Sequence, residues 1–396
     1  MKKTLIALAT LAACGATFAQ STVTLSGLVD IGYGSVNGPA NVNGVQTGDV
    51  RRVAQNGSAT TAIVIGGVED LGGGMKALFR YEMNPDFVNG SGLTGGVGAE
   101  SGSTGAIALG NGANGYQFVG VEGGFGKVLF GRLNSPSLGA WGVGSTFGTA
   151  LGSGYSSSAI YTRYGTSAAN YNNTAPTRFN GSLEYTTPSM GGLSARLLYV
   201  PQVNKVAVGG ESACAQTACT SENAVAIGAN RAGVRDFSIA YSQGPLNIAL
   251  ASQTLKVGSG DVSGLVSPSL LSTANTSNKL NTLGANYKLG DATLRAIFWT
   301  EKTGTTVDVA ARQLGLSYAM GAVTLHVAAS GSNDKTTANV DRSIVGFGAD
   351  YALSKRSSVY GRYENRDADT SSVNKALDTA ANGATKTMHI GVRHTF

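Results

Sequence analysis

The sequence predicts an all-β fold: a 16-stranded antiparallel transmembrane β-barrel with short periplasmic turns, long external loops and a pore-constricting third loop. Three observations predict it. Segments of roughly ten residues alternate apolar and polar side chains, and an extended strand sends the two kinds to opposite faces. Seven short turns rich in Gly, Pro and Asp punctuate these segments. The chain ends Met388-His-Ile-Gly-Val-Arg-His-Thr-Phe396, an alternating stretch finishing on a bare aromatic, where soluble domains usually fray into polar residues.

The chain opens Met-Lys-Lys, runs apolar from Leu5 to Ala13 and reaches Ala-Thr-Phe-Ala before Gln20. A charged start, a short apolar stretch and small residues at its end form a secretory signal, with cleavage after Ala19. Residues 1–19 are read as signal peptide and 20–396 as one barrel domain. Leu11-Ala-Ala-Cys14 allows a second reading, a lipoprotein site with Cys14 lipidated. Removing residues 1–19 removes Lys2 and Lys3 and no acid, so the formal charge falls from +6 to +4. That excess is too small to argue for nucleic acid. The remainder has no run near the ~18 apolar residues of a membrane helix. Composition alone admits a soluble β protein or a barrel, and periodicity decides for the barrel.

The first strand spans Val23 to Val36: Val23, Leu25, Val29, Ile31 and Tyr33 share a face with Gly27, and Thr24, Ser26, Leu28 and Asp30 share the other. Leu294, Ala296 and Phe298 repeat the pattern, as do Leu314, Leu316 and Tyr318, and Val345, Phe347, Ala349 and Tyr351. The short turns are Leu71–Gly74, Gly123–Gly126, Pro188–Gly192, Gly244–Pro245, Gly290–Asp291, Met320–Gly321 and Leu353–Arg356. Seven turns on one rim, with a loop on the other rim beside each and at the ends, require sixteen strands. Tyr185, Tyr241, Tyr287, Tyr318 and Tyr351 stand just before turns, and Tyr199, Phe298 and Tyr363 stand well past them. Two aromatic levels match the two membrane interfaces. The last strand must pair with the first, leaving no open edge in lipid.

Sixteen strands leave an open lumen, whereas about eight would be filled by side chains. The segment expected to narrow it is the third loop, about Leu133 to Ala175, long, Gly- and Ser-rich and carrying Trp141 and Phe147. Between Glu122 and Glu184 there is no Asp or Glu, but Lys127, Arg132, Arg163 and Arg178 are present. Lys76, Arg80 and Arg196 fall on lumen-facing parity, with Glu82 and Glu184 as local acids. Charges at a constriction select by sign, so the expected activity is passive diffusion of small hydrophilic solutes and ions with a modest anion preference. Two alternatives remain. Trp141, Tyr155, Tyr161, Tyr164 and Tyr171 could offer stacking surfaces for one solute, or the barrel could be structural or adhesive with a blocked lumen.

Cys214 and Cys219, in Cys-Ala-Gln-Thr-Ala-Cys, are expected to form a local disulfide in an oxidising compartment. A metal site would need further ligands nearby, and no cofactor is expected. Only His326, His389 and His394 occur, and no Ser-centred motif accompanies them, which argues against acyl-transfer chemistry. Alternation puts His394 on the lipid side and the other two on the lumen side.

Five stretches in order carry a family resemblance. They are Thr22-Val-Thr-Leu-Ser-Gly-Leu-Val-Asp-Ile-Gly, Gly67-Val-Glu-Asp-Leu-Gly-Gly-Gly-Met-Lys-Ala-Leu-Phe, Phe118 to Arg132, Tyr351-Ala-Leu-Ser-Lys-Arg-Ser and Gly391-Val-Arg-His-Thr-Phe. Together they resemble the general diffusion porins of Gram-negative outer membranes, β-proteobacterial type. The resemblance implies a homotrimer of sixteen-stranded barrels among outer-membrane lipids, each narrowed by its third loop. It also implies that Phe396 signals to the barrel-assembly machinery and that Arg132 lines the pore. The chain departs from the pattern at Ala62, where such porins commonly carry Arg, and in lacking the Pro-Glu-Phe-Gly-Gly element of the enterobacterial branch.

Overall fold

The structure, a computed structural model, describes residues 21–37, 50–88, 115–148, 150–153, 178–201, 233–256, 277–304, 307–336, 341–368 and 386–396. Within them lie seventeen strands in one sheet. They are β1 Thr22–Asn37, β2 Val50–Gln55, β3 Ala62–Gly72, β4 Met75–Met83, β5 Gln117–Gly123, β6 Gly126–Asn134, β7 Arg178–Thr186, β8 Leu193–Val200 and β9 Gly233–Gln243. There follow β10 Leu246–Lys256, β11 Ser277–Leu289, β12 Ala292–Thr303, β13 Val307–Met320, β14 Val323–Asp334, β15 Arg342–Ala352, β16 Ser357–Ala368 and β17 Lys386–Thr395. One helix, α1 (Pro136–Gly144), follows β6.

Every neighbouring pair is antiparallel, and β17 closes on β1 from Leu28↔Thr395 to Asn37↔Lys386. Closure matters because an unpaired backbone group in hydrocarbon costs several kcal/mol. The seam ends on the last residue: Phe396 N–H donates to Gly27 O and Gly27 N–H to Phe396 O, both at 3.1 Å.

The expectation of sixteen strands is corrected in one detail. The second stave is split, so β2 covers Ile31–Val36 of β1 while β3 covers Thr22–Leu28. Three steps along β1, from Leu28 to Ile31, face seven along its partner, from Ala62 back to Gln55. The surplus residues turn at Asn56, a non-glycine with φ 68°. The Asp30 carboxylate holds them by accepting the Ser58 N–H at 2.7 Å and the Ala59 N–H at 2.6 Å. Counting β2 and β3 as one stave, the barrel has sixteen.

The seven short turns fall between β3 and β4 and between each later hairpin pair, as their Gly, Pro and Asp content predicts. Outward positions are apolar and exposed, among them Val23, Leu25, Phe79, Val119, Phe298, Leu314 and Ile390. Tyr185, Tyr287, Tyr318 and Tyr351 stand in the exposed outward set one to three residues before their turns. His394 is also outward, with its Nδ1 2.9 Å from Ser357 Oγ. The expectation of long external loops fails between β12 and β13, which are joined by residues 304–306 alone. Gly304, at φ 50°, makes that tight reversal.

Candidate functional site

The inner wall carries buried polar side chains, and several of them serve the third loop. At its start the Ser135 hydroxyl accepts the Leu138 N–H at 3.0 Å, with Pro136 next to it opening α1. From β9, Asp236 accepts the Ser137 N–H at 3.0 Å and the Ser137 hydroxyl at 2.9 Å, and Gln253 Nε2 donates to it at 2.9 Å. A carboxylate at a helix N-terminus also meets the positive end of the helix dipole.

The helix lies against the wall. Trp141 is 1% exposed and packs with Leu280, Ile297 and Trp299. Gly284 of β11 allows this approach, because a Cβ there would collide with the Ala140 carbonyl. Beyond the helix, Asn286 Nδ2 donates to Val143 O at 2.8 Å and Arg295 Nε to Ser145 O at 3.1 Å. Gln313 Nε2 donates to Ser153 O at 3.0 Å, and Glu364 accepts the Gly152 N–H at 2.8 Å. The Leu151 N–H then reaches Gly57 O of the split stave at 3.4 Å. Residues 135–148 and 150–153 thus run inside the barrel from β6 across β9–β16 to Gly57.

Burial settles one expectation against the sequence reading. Trp141 faces the wall and offers no stacking surface to a solute. Tyr155, Tyr161, Tyr164 and Tyr171, the other aromatics of that reading, lie outside the described residues, as do Arg163, Cys214, Cys219 and the signal segment.

On β4, β7 and β8 the wall charges pair mainly with one another, and Arg196 Nη2 also donates to Asn134 O at 3.1 Å. Arg196 forks onto Glu184, Nη2 to Oε2 at 2.7 Å and Nε to Oε1 at 3.2 Å. Arg80 Nη2 donates to Glu82 Oε2 at 2.7 Å, and Arg178 Nη2 lies 3.7 Å from Glu82 Oε1. In each pair the acid is the buried member. The Glu184 side chain is 2% exposed against 27% for Arg196, and Glu82 is 10% exposed against 36% for Arg80 and 26% for Arg178. Water in the lumen therefore meets guanidinium edges while the carboxylates sit behind them.

The remaining expected site residues lie elsewhere. Lys76 is at the turn end of β4, opposite Asp70 on one side and Glu122 on the other. Arg132 is at the bulge near the end of β6, opposite Gln117, with Nη1 2.5 Å from Asn180 Oδ1. Ala62 begins β3 opposite Leu28, and Arg52 is the basic residue on the inward parity of that split stave, opposite Gly34.

Sequence reading missed a second inward cluster. Arg362 on β16 donates to both oxygens of Asp350 at 3.0 and 2.8 Å and to Ser58 Oγ at 3.1 Å. Asp350 also takes His326 Nε2 at 2.9 Å, and His326 Nδ1 lies 2.9 Å from Ser317 Oγ. These are the residue types of an acyl-transfer triad. Here, however, the carboxylate is shared with Arg362, and the Phe147 ring lies 5.7 Å from the His326 ring and 5.8 Å from the guanidinium. The cluster braces four strands, β13 to β16, and seats the third loop. Its signal in the sequence was inward parity alone, which ordinary pore-facing polar residues share.

A family model for the Gram-negative porin matches residues 4–371. The chain belongs to the Gram-negative porins. This porin is 28% identical to outer membrane porin protein 32 of Delftia acidovorans over the whole of both chains. It is 36% identical to major outer membrane protein P.IB of Neisseria meningitidis serogroup B over 34% of each. Among solved structures it is similar to the anion-selective porin from Comamonas acidovorans, with TM-score 0.67, 24% identity and coverage of 95% of this chain and 100% of that one. The trimer form of OmpT from Vibrio cholerae follows at TM-score 0.59, 14% identity and coverage of 95% and 99%. The porin is an outer-membrane protein whose lumen is a channel for passive diffusion of small solutes.

Proposed function

We propose that this porin prefers anions, and that the exposed guanidinium edges of Arg80, Arg178 and Arg196 set the preference. The burial asymmetry within these ion pairs carries the reading: Arg196 with Glu184 is neutral on paper, Arg80 and Arg178 with Glu82 carry one net positive charge, and both groups turn their positive ends to the water. The third loop adds no opposing charge, since residues 135–153 contain no acid. A relative of similar fold is described as anion-selective, which supports the same sign. Fields of this kind act at short range, because screening limits them to about 10 Å at 0.1 M salt. A zero-current potential across a planar bilayer under a potassium chloride gradient tests it. The expected sign is chloride over potassium, and a potassium-selective reading would overturn it.

The same reading includes cleavage of residues 1–19, assembly as a homotrimer and recognition of the C-terminal Phe396 by the barrel-assembly machinery. Support comes from the trimeric relative and from the seam, where Phe396 supplies the last backbone pair to Gly27. Deleting Phe396 should leave the protein exported but largely uninserted in outer-membrane fractions; wild-type insertion would refute that role.

A further inference from the structure

Beside the guanidinium groups of β4 and β7, the inner wall also presents aromatic rings. Arg80 of β4 faces Gly66 on β3 and Phe118 on β5, and Phe118 faces Gly131 on β6. Phe118 shares the inward parity of Arg80, since Val119 next to it is exposed on the outer face. A glycine at each end of this row adds no side chain beside the guanidinium or the ring. Tyr116, one position before β5, extends the aromatic surface. Its ring centroid lies 4.9 Å from that of Phe118, with the planes at 51°. The Arg80 guanidinium carbon stands 5.9 Å from the centre of the same Tyr116 ring, within the range of a cation–π contact.

Two features point to a ligand. The rings back onto a buried apolar cluster that includes Leu129, Leu133 and Phe179, yet Tyr116 and Phe118 are themselves only partly buried. An aromatic face therefore remains open on the lumen side. The charge beside it is also unbalanced. Arg80 and Arg178 share one carboxylate, Glu82, and the group keeps one net positive charge. Among the described residues each guanidinium spends only its Nη2 on that carboxylate, so Nη1 of each remains to donate. A solute that carries its carboxylate directly on an aromatic ring meets both features at once. An aliphatic carboxylate meets only the charge, and a neutral ring only the aromatic face.

We propose that Tyr116, Phe118, Arg80 and Arg178 form a subsite for aromatic monocarboxylates of the benzoate class. The solute ring lies on Tyr116 and Phe118, and its carboxylate accepts from the two guanidinium groups. This rests on the anion-preferring reading above and adds a solute class to it. The stacking surface expected on the third loop thus belongs to the wall at β4 and β5, because Trp141 is covered. Such a shallow site favours entry of a dilute solute while leaving it free to depart, the two conditions that conduction sets.

Planar bilayers holding the full-length porin in potassium chloride, with benzoate or acetate added to the bath, test this. Benzoate should reduce the single-channel current saturably, and acetate at equal concentration should leave it near its starting value. The half-blocking concentration should rise at least about five-fold in the Tyr116→Leu, Phe118→Leu double variant, the scale of a lost aromatic contact. The single variants Tyr116→Phe and Phe118→Tyr, which keep both rings, should retain the wild-type value and so guard against a folding defect. Equal block by acetate and benzoate would overturn the proposal, as would an unchanged half-blocking concentration in the double variant. The zero-current potential of the wild-type channel, recorded in the same bilayers, keeps the two readings apart. Chloride preference without saturable benzoate block sinks the subsite alone, and potassium preference sinks the anion reading on which it rests.

Discussion

Glu364 on β16 and Glu82 on β4 both point into the lumen, yet they serve different ends. Glu364 accepts a backbone N–H of the third loop and is 1% exposed. Glu82 holds two guanidinium groups outward to water. The same contrast runs through the whole inner wall. Over β9–β16, Asp236, Asn286, Arg295, Gln313 and Glu364 are consumed in satisfying loop backbone and caps. Over β4, β7 and β8 the charges pair mainly with each other and leave their cations partly exposed. One arc builds the constriction, and the other carries the charges to which we assign its sign. Identical residue types thus act mechanically or electrostatically according to whether a backbone covers them.

The covered arc should break most visibly. Gly284→Val would drive a side chain into the Ala140 carbonyl, a neighbour that is backbone and cannot rotate away. Overpacking costs about 1–3 kcal/mol even where neighbours can shift, so α1 should leave its seat. Single-channel conductance should rise markedly, and an unchanged value would mean that α1 does not limit the pore.

On the open arc, Arg80→Gln with Arg178→Gln should alter sign more than width. A unit charge at ~4 Å in water is worth about 1 kcal/mol, or roughly five-fold in partitioning. The chloride-to-potassium permeability ratio should drop by about that factor or more at low salt, and the effect should shrink at 1 M salt, where the screening length is about 3 Å. Conductance should change little.

Arg362→Gln supplies the smallest effect on permeation and sharpens the distinction. Its side chain is 5% exposed and committed to Asp350 and Ser58. Selectivity should stay near wild type while thermal unfolding shifts downward, by an amount consistent with ~1–3 kcal/mol for a stranded buried partner. A selectivity change as large as that of the Arg80 variant would erase the boundary between the arcs.

Much of this was readable in the chain because it is local. Turn chemistry at Gly290–Asp291 or Leu353–Arg356 depends on adjacent residues, and period-two alternation fixes which face meets lipid. The broken second stave was not readable, because its surplus residues are held by Asp30, 28 positions before Ser58. Trp141 was misread for a similar reason. In a Gly- and Ser-rich loop an aromatic looks available to solutes, and only the packing of α1 on Leu280 and Ile297 shows it is not. Arg80, Arg178 and Arg196 stand out by parity and charge, but the orientation of their ion pairs depends on burial of the acids, which no sequence pattern encodes.

The seam between β1 and β17 also sets the order of assembly. Leu28 and Thr395 are 367 positions apart in sequence (395 − 28) and are direct partners in the closed wall. Non-local pairings of this kind are slow, because loop closure must precede any gain from contact. Until the final residues arrive, β1 has a bare edge and Val23 and Leu25 lie on an unshielded apolar face, the features that drive strand-to-strand aggregation. The protein therefore needs to be held apart from other copies throughout its transit, and its lifetime as an open sheet, more than its final stability, sets the yield of functional pores.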